Sequence, residues 1–386
     1  ASSLMEPWDG PAALLFTNGL QIGANMDRNG LRPLRITETT NDLIIIASES
    51  GVLPLPEEQI KRKSNLGSGK MLLVDITSGE VLTDQVIKQR VSEQHPYAGW
   101  ISEHRIRLNQ LAMPATNHHP RHDKIRLSQR VFSYTYEELH LLLKPMAEEA
   151  QESTYSMGSD TPLAVLSNRP KLLYNYFKQH FAQVTNPAID SIREDLVMSL
   201  RITVGGTNNI LEDHPANCKI LEIAPVFTND ELEQVKQLKT VPFRSKTVDI
   251  CYPLLEQSLE LAIDQVCKEV EKCVDQGYRL VIVSDRNFSR TKAPIPSLLA
   301  VSAVHHYLIR ANKRGKIGIV VETGEVREVH HLALLLAYGA GGVNPYLAFE
   351  TLTDMEMNGQ LEKNTDQITA HKNYIKKKKK GLLKIM

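Results

Sequence analysis

The chain predicts a mixed α/β fold, and three observations lead there. Short apolar runs joined by hairpin turns occupy the first segment, to about Trp100. Helical periods follow, and in the later chain apolar strands alternate with helices, the pattern of parallel βαβ units. With 386 residues, 42% hydrophobic and 23% charged, and domains of roughly 100–200 residues, two or three domains with a sizeable core are expected.

In chain order, "ALLFTNGLQIGANM" and "DLIIIASES" read as strands, and "MLLVDITSGEVLTDQ" as two short strands about a turn at Ser78 and Gly79. The stretch "ANMDRNGLRPLRI" gathers Asp27, Arg28, Gly30 and Arg32 directly after a strand. Gly30 allows the positive φ of a tight turn, and Pro33 fixes the chain as it re-enters a strand. Asp27 can accept hydrogen bonds from turn amides or from Arg28 and Arg32. Beyond Ile101 the pattern weakens, and "MPATNHHPRHDKIR" reads as a linker or surface excursion. Helical spacings return in "TYEELHLLLKPMAEEA", "PKLLYNYFKQHFAQV" and "IREDLVMSLRI". "EQSLELAIDQVCKEVEKCVDQG" is then a helix stopped by Gly277, "YRLVIVSD" a strand, and "IPSLLAVSAVHHYLIRANKRG" a helix running from Pro296 to Gly315. "KIGIVVETG" and "EVREVHHLALLLAYGAG" complete the series as strand and helix.

Ligands in parallel α/β sheets gather at the carboxyl ends of strands. Ser284, Asp285, Arg286, Glu322, Thr323 and Asn344 fall there, with Asp285, Arg286 and Glu322 the strand-end candidates. The plainer reading makes Asp285 and Arg286 a local ion pair, with Glu322 and Thr323 capping the next helix. Adjacent histidines on a helix diverge by about 100° and cannot grip one metal together, so His305–His306 and His330–His331 read as packing or hydrogen-bonding residues, while His118–His119 falls in the basic loop and reads as solvated. "YGAGGVNP" offers either a phosphate cradle or a tight helix-to-strand turn. In "FAQVTNPAID", Thr185 and Asn186 precede Pro187, where small polar side chains suit lining a passage or capping a helix.

The run at residues 376–380 reads as a solvated helix face or frayed terminus. A formal net charge of zero points to neither nucleic acid nor an anionic membrane. No run approaches the roughly 20 apolar residues of a membrane span, and the opening residues lack a signal-peptide pattern, so an intracellular protein is expected. The four cysteines form no CxxC pair and read as buried free thiols; Cys267 and Cys273, six apart, are expected on different helix faces. No nucleophile motif is complete.

The stretch "EPWDGPAALLFTNGLQIGANMDRNGLRPLRITETTNDLIIIASESGVL" resembles the last part of the glutaminase domain of the glutamate synthase large subunit. "KPMAEEAQESTYSMGSDTPLAVLS", "YFKQHFAQVTNPAIDSIREDLVMSL", "SDRNFSRTKAPIPSLLAVSAVHHYLI" and "VETGEVREVHHLALLLAYGAGGVNPYLAFE" resemble that family's central domain. The resemblance implies the C-terminal part of an Ntn-type αββα class II glutamine amidotransferase domain over 1–103, a linker over 104–134 and an α/β central domain over 135–386.

By the same resemblance the complete enzyme makes L-glutamate from L-glutamine and 2-oxoglutarate. It hydrolyses glutamine, channels ammonia and carries out a flavin-dependent reductive amination, as an oxidoreductase acting on CH–NH2 donors. FMN and a 3Fe–4S cluster belong to the complete enzyme and none is expected on this piece. The electron donor is a small subunit or domain using NADPH or NADH, or ferredoxin, and the assembly is an oligomer without nucleic acid or membrane. The location implied is cytoplasmic, or plastid for a plant or alga. Thr185 and Asn186 match a tunnel constriction, and Asp27, Arg28, Gly30 and Arg32 form hairpin scaffold. The catalytic residues lie outside this piece, which is expected to be inactive alone. The alternatives are a non-catalytic subunit-interaction remnant, or an independent α/β enzyme using Asp285, Arg286 and Glu322.

Overall fold

The computed structural model describes residues 10–112, 122–152, 165–168, 171–178, 198–205, 209, 211–218, 221–238 and 243–385. The chain divides into two compact units, Ala1–Gly99 and Trp100–Met386.

The first unit is built from two antiparallel sheets. β1 (Ala13–Thr17), β2 (Gln21–Met26), β6 (Met71–Asp75) and β7 (Val81–Thr83) form one, in the order β1-β2-β6-β7. The β1–β2 turn closes because Asn18 Oδ1 accepts the amides of Leu20 and Gln21 at 3.0 and 2.8 Å. β3 (Arg35–Thr39), β4 (Ile44–Ala47) and β5 (Ile60–Asn65) form the other, in the order β4-β3-β5. Strand alternation turns Ala24, Met26 and Leu72 of the first sheet, and Ile36 with the flanking Leu34 and Leu66 of the second, into one core. Helix α1 (Asp84–Glu93) follows, held where Asp84 Oδ1 accepts the Met71 amide at 3.1 Å.

The second unit centres on a parallel sheet in the order β11-β13-β15-β16: Ser245–Asp249, Leu280–Ser284, Gly318–Glu322 and Gly342–Asn344, while β12 (Cys251–Pro253) and β14 (Lys292–Pro294) pair antiparallel as a separate ribbon. Every residue of β13 and β15 is buried, as expected of a sheet covered on both faces. Between its strands lie α6 (Leu259–Asp275), α7 (Ser297–Arg310) and α8 (Val329–Ala337). Val281, Val283, Ile319 and Val321 pack into the larger core with Val270, Val304 and Leu335 from those helices. Their strand neighbours Leu280, Ile282 and Val320 point the other way, against Phe227, Leu232 and Val235. The latter two lie on α5 (Asn229–Lys236), which opens with a capping box in which Thr228 and Glu231 satisfy each other's amides. Two long helices, α9 (Tyr346–Met357) and α10 (Gln367–Ile385), complete the C-terminal part.

Several expectations change. The stretch 104–134 holds real structure: the end of α2 (Tyr97–His104), β8 (Ile106–Arg107) and α3 (His122–Val131). β8 pairs with β10 (Leu221–Ile223), which also pairs with β9 (Ile202–Val204). α3 buries Ile125 against Phe132 and Leu347. Polar outer faces hid that helix from a period count. Ile202, placed on a helix by its spacing, is in β9 because pairing with Ile223 offers burial that a lone helical turn does not. α7 ends at Arg310, short of Gly315, with Asn312 taking the positive φ of 55°. The expected helix around Leu173 is a single 3-10 turn, Leu173–Tyr176. α4 (Lys144–Glu149) is entered through a π turn, Glu138–Leu143, where Pro145 lacks the amide for a regular ladder.

The run at residues 376–380 is corrected as well. It lies inside α10, and Lys378 is 1% exposed, its Nζ donating to the Arg327 carbonyl and facing the Tyr374 ring at 4.8 Å. Burial, outweighing Glu152 and Glu328, holds its ammonium down to about 8. Cys267 and Cys273 are both buried in the core, because α6 presents a broad apolar face rather than a narrow stripe.

Candidate functional site

In the first unit, the turn after β2 is organised by Asp27. Its carboxylate accepts the backbone amides of Asn29 (3.1 Å), Leu31 (3.1 Å), Arg32 (3.4 Å) and Ala12 (3.4 Å). Its own carbonyl accepts Gly30 and Gly69 at 3.0 and 2.9 Å. Desolvation pushes this carboxyl up, but the four amides outweigh it and hold it below its ordinary value. Arg32 contributes its amide to this set. Gly30 has φ 64°, which favours glycine, and a Cβ there would lie 2.3 Å from Ser68 Oγ and push that hydroxyl aside. A hollow of about 170 Å³ lies over the second sheet, lined among others by Arg35, Thr37, Lys63, Val52 and Leu55. None of Asp27, Arg28, Gly30 and Arg32 lines it.

In the second unit, the parallel register sets Ser284 beside Glu322 and Glu322 beside Asn344. Glu322 is 1% exposed and takes three donors: Ser284 Oγ at 2.7 Å, Arg286 Nε at 2.7 Å and Lys236 Nζ at 2.9 Å. Burial raises its carboxyl, yet Arg286, Lys236 and Ser284 together hold it below the usual range, so it is ionised. Arg286 continues to Glu350 at 2.7 Å and lies 4.0 Å over the Tyr346 ring. Asn344 donates to Phe227 O and Asn229 Oδ1 at 3.1 and 2.9 Å.

Asp285 is not the partner of Arg286. It points into the protein, fully buried, and accepts Thr323 Oγ1 at 2.5 Å and the Gly324 amide at 3.1 Å. Burial pushes its carboxyl well above the ordinary value, and Glu325 pushes it further. Glu325 is itself raised by burial while accepting the Ser297 amide and hydroxyl at 2.9 and 2.6 Å. Tyr174 lies 2.8 Å from Ser297 Oγ and stacks on His331 at 4.5 Å. Nor do Glu322 and Thr323 cap α8, which begins after Glu328.

Asp285, Arg286 and Glu322 thus fall into two adjacent networks, one around the Glu322 carboxylate and one around Asp285, whose carboxyl burial raises. Glu350 and Lys236 escaped the strand-end rule because they sit on α9 and α5; the one available signal was a lone acid in the apolar run "NPYLAFETL". Thr185, Asn186 and the pair His118–His119 lie outside the described residues.

The remaining polar groups are absorbed in packing. His305 Nδ1 accepts Arg314 Nε at 2.9 Å, and burial lowers its pKa. Burial also raises the thiols of Cys251 and Cys273, and that of Cys267 to about 11, so none is an activated nucleophile. Among the described residues, no group of three or more His, Cys, Asp or Glu side chains is placed to hold a metal. The Gly339 turn is no phosphate cradle: the amides of Gly339, Ala340 and Gly341 donate to Leu336, Leu335 and Ile319 carbonyls. No described helix is long and apolar enough to cross a membrane.

Comparison with known proteins extends this picture. Residues 127–386 match the family model for the glutamate synthase central domain, and residues 1–100 that for class II glutamine amidotransferases. The glutamate synthase [NADPH] large chain of Bacillus subtilis is 41% identical over all of this chain, which covers 25% of that protein. The glutamate synthase [NADH] of Schizosaccharomyces pombe is 37% identical over all of it, covering 19% of that protein. The chloroplastic ferredoxin-dependent glutamate synthase of Spinacia oleracea is 39% identical over 99% of the chain, covering 24% of its own length. The chain therefore spans about a quarter or less of the length of these relatives. It belongs to the glutamate synthase family, joining a stretch of class II glutamine amidotransferase domain to the glutamate synthase central domain.

Proposed function

We propose that this chain is the scaffold and tunnel-wall portion of a glutamate synthase, which makes L-glutamate from L-glutamine and 2-oxoglutarate. The observation that carries the reading is the closure of the strand ends. Glu322 is consumed by Ser284, Arg286 and Lys236, where an α/β enzyme would keep reacting groups open to a ligand. The hairpin of Asp27, Arg28, Gly30 and Arg32 is then structural, its carboxylate spent on backbone amides. The three relatives are named for NADPH, NADH and ferredoxin, and the electron donor of a complete enzyme here is one of these. The complete enzyme is cytoplasmic, or plastid in a plant or alga, and oligomeric.

FMN and a 3Fe–4S cluster are the groups the resemblance attaches to a complete enzyme. The residues described here do not fit either. Cys267 and Cys273 are packed in the core of the second unit, and the amides of the Gly339 turn are already donated within the chain.

Thr185 and Asn186 are proposed to line the ammonia passage. Ammonia travels as neutral NH3, and a hydroxyl and a carboxamide can hydrogen-bond to it without protonating it. In a longer chain that carries both activities, Asn186→Leu should lower glutamine-dependent glutamate formation several-fold while leaving formation from added ammonium salt unchanged. Equal loss with both nitrogen sources would count against the passage.

A further inference from the structure

α10 carries a basic stripe on its outer face. Its inner face is Ala370, Tyr374, Lys378, Gly381 and Leu382, all buried. On the outer face Lys372, Lys376, Lys380 and Lys384 recur every four residues and are exposed, with Lys379 half-exposed beside them. At 1.5 Å per residue the four exposed lysines span about 18 Å. Lys372 alone has a nearby acid, Asp366. Lys377, by contrast, turns toward Glu152 at 3.7 Å and belongs to the packed side. Among the described residues, Lys376, Lys379, Lys380 and Lys384 have no ion-pair partner.

This arrangement is unfavourable in isolation. Like charges at i, i+4 destabilise a helix by about 0.2–0.5 kcal/mol per pair, and three such pairs follow one another here. The helix C-terminus favours Lys384 electrostatically, but that effect fades within the last turn and does not reach Lys372 or Lys376. Surface helices usually relieve such rows with interspersed acids, and this one has none between residues 372 and 384.

We propose that the outer face of α10 is a docking surface for an acidic polypeptide segment, whose carboxylates pair with Lys376, Lys380 and Lys384. Charge complementarity selects that partner. A nucleic acid would call for aromatic side chains among the lysines, and Tyr374, the one aromatic residue in the stretch, is fully buried. A membrane would call for a broad apolar face beside the lysines; Ile368, one turn before Lys372, is the one large apolar residue exposed on this helix, and Leu382 faces the protein core. The inference is independent of the tunnel reading.

The test is binding of the full chain to labelled poly-L-glutamate at low ionic strength, followed by fluorescence anisotropy. Replacing three lysines together (Lys376→Gln, Lys380→Gln and Lys384→Gln) should weaken binding about tenfold, the sum of three exposed ion pairs. Removing equal charge elsewhere, through Lys61→Gln, Lys63→Gln and Lys292→Gln, should leave binding within about twofold of the parent on the same scale. The stripe variant should unfold at the same or a higher temperature, because like charges have been removed. Unchanged binding in the stripe variant, or a lower unfolding temperature, would overturn the proposal. So would equal or tighter binding of single-stranded DNA or of phosphatidylserine vesicles by the parent chain.

Discussion

Asp285 illustrates how a residue with the sequence marks of an active-site acid becomes a buried structural acceptor. It ends a buried strand and turns inward, where Thr323 and Gly324 supply its hydrogen bonds. Its folded-state pKa lies above the unfolded value, so its stabilising contribution is full at acid pH and is lost as pH rises through the folded pKa. Asp285→Asn keeps the acceptor and removes the ionisation. It should stay within about 1 kcal/mol of the parent at acid pH and lose less stability than the parent as pH rises. Asp285→Ala should cost about 1–3 kcal/mol by stranding the Thr323 hydroxyl and the Gly324 amide. Denaturant melts across a pH series check both, and a parent stability that climbs with pH relative to Asp285→Asn would refute the assignment. The strand-end position of Asp285 was legible from periodicity, but its inward orientation was not. Pairing with Arg286 is the local default, and only the register with β15 brings Thr323 and Gly324 into reach. Lys378 was illegible for a similar reason: within five consecutive lysines, nothing in composition marks the one that faces inward.

Among the elements, those whose burial follows a simple period were the ones legible in advance. β13 and β15 are continuous apolar runs, and α6 carries its apolar positions at spacings of three and four between a Ser258 cap and Gly277. α3 and β8 were not, because a polar helix and a two-residue strand derive their stability from partners far away in sequence. α10 carries a feature that propensity alone misreads. Gly381 sits mid-helix, where alanine is ordinarily preferred by about 1 kcal/mol. A Cβ there would fall 2.4 Å from Val329 Cγ2 of α8, so the glycine sets how closely the two helices approach. Gly381→Ala should therefore destabilise the protein, against the propensity scale, by about 1–3 kcal/mol. A thermal melt with a raised midpoint would contradict this contact.

For the whole molecule, the chain combines a piece of one catalytic domain with a domain whose strand ends are sealed by Glu322, Arg286, Lys236 and Glu350. The family was legible in its long ordered motifs, whereas the two strand-end networks were not, since Lys236 and Glu350 come from helices that strand rules do not consult. The proposed role of these 386 residues is structural, with neither reaction centre among them. Its most direct test is ammonia release from L-glutamine by the purified chain, measured beside a longer chain extended on both sides to the span of the relatives. No release above the buffer blank is expected from the 386-residue chain, and release is expected from the longer one. Glutamine-dependent ammonia release by the shorter chain alone would contradict it.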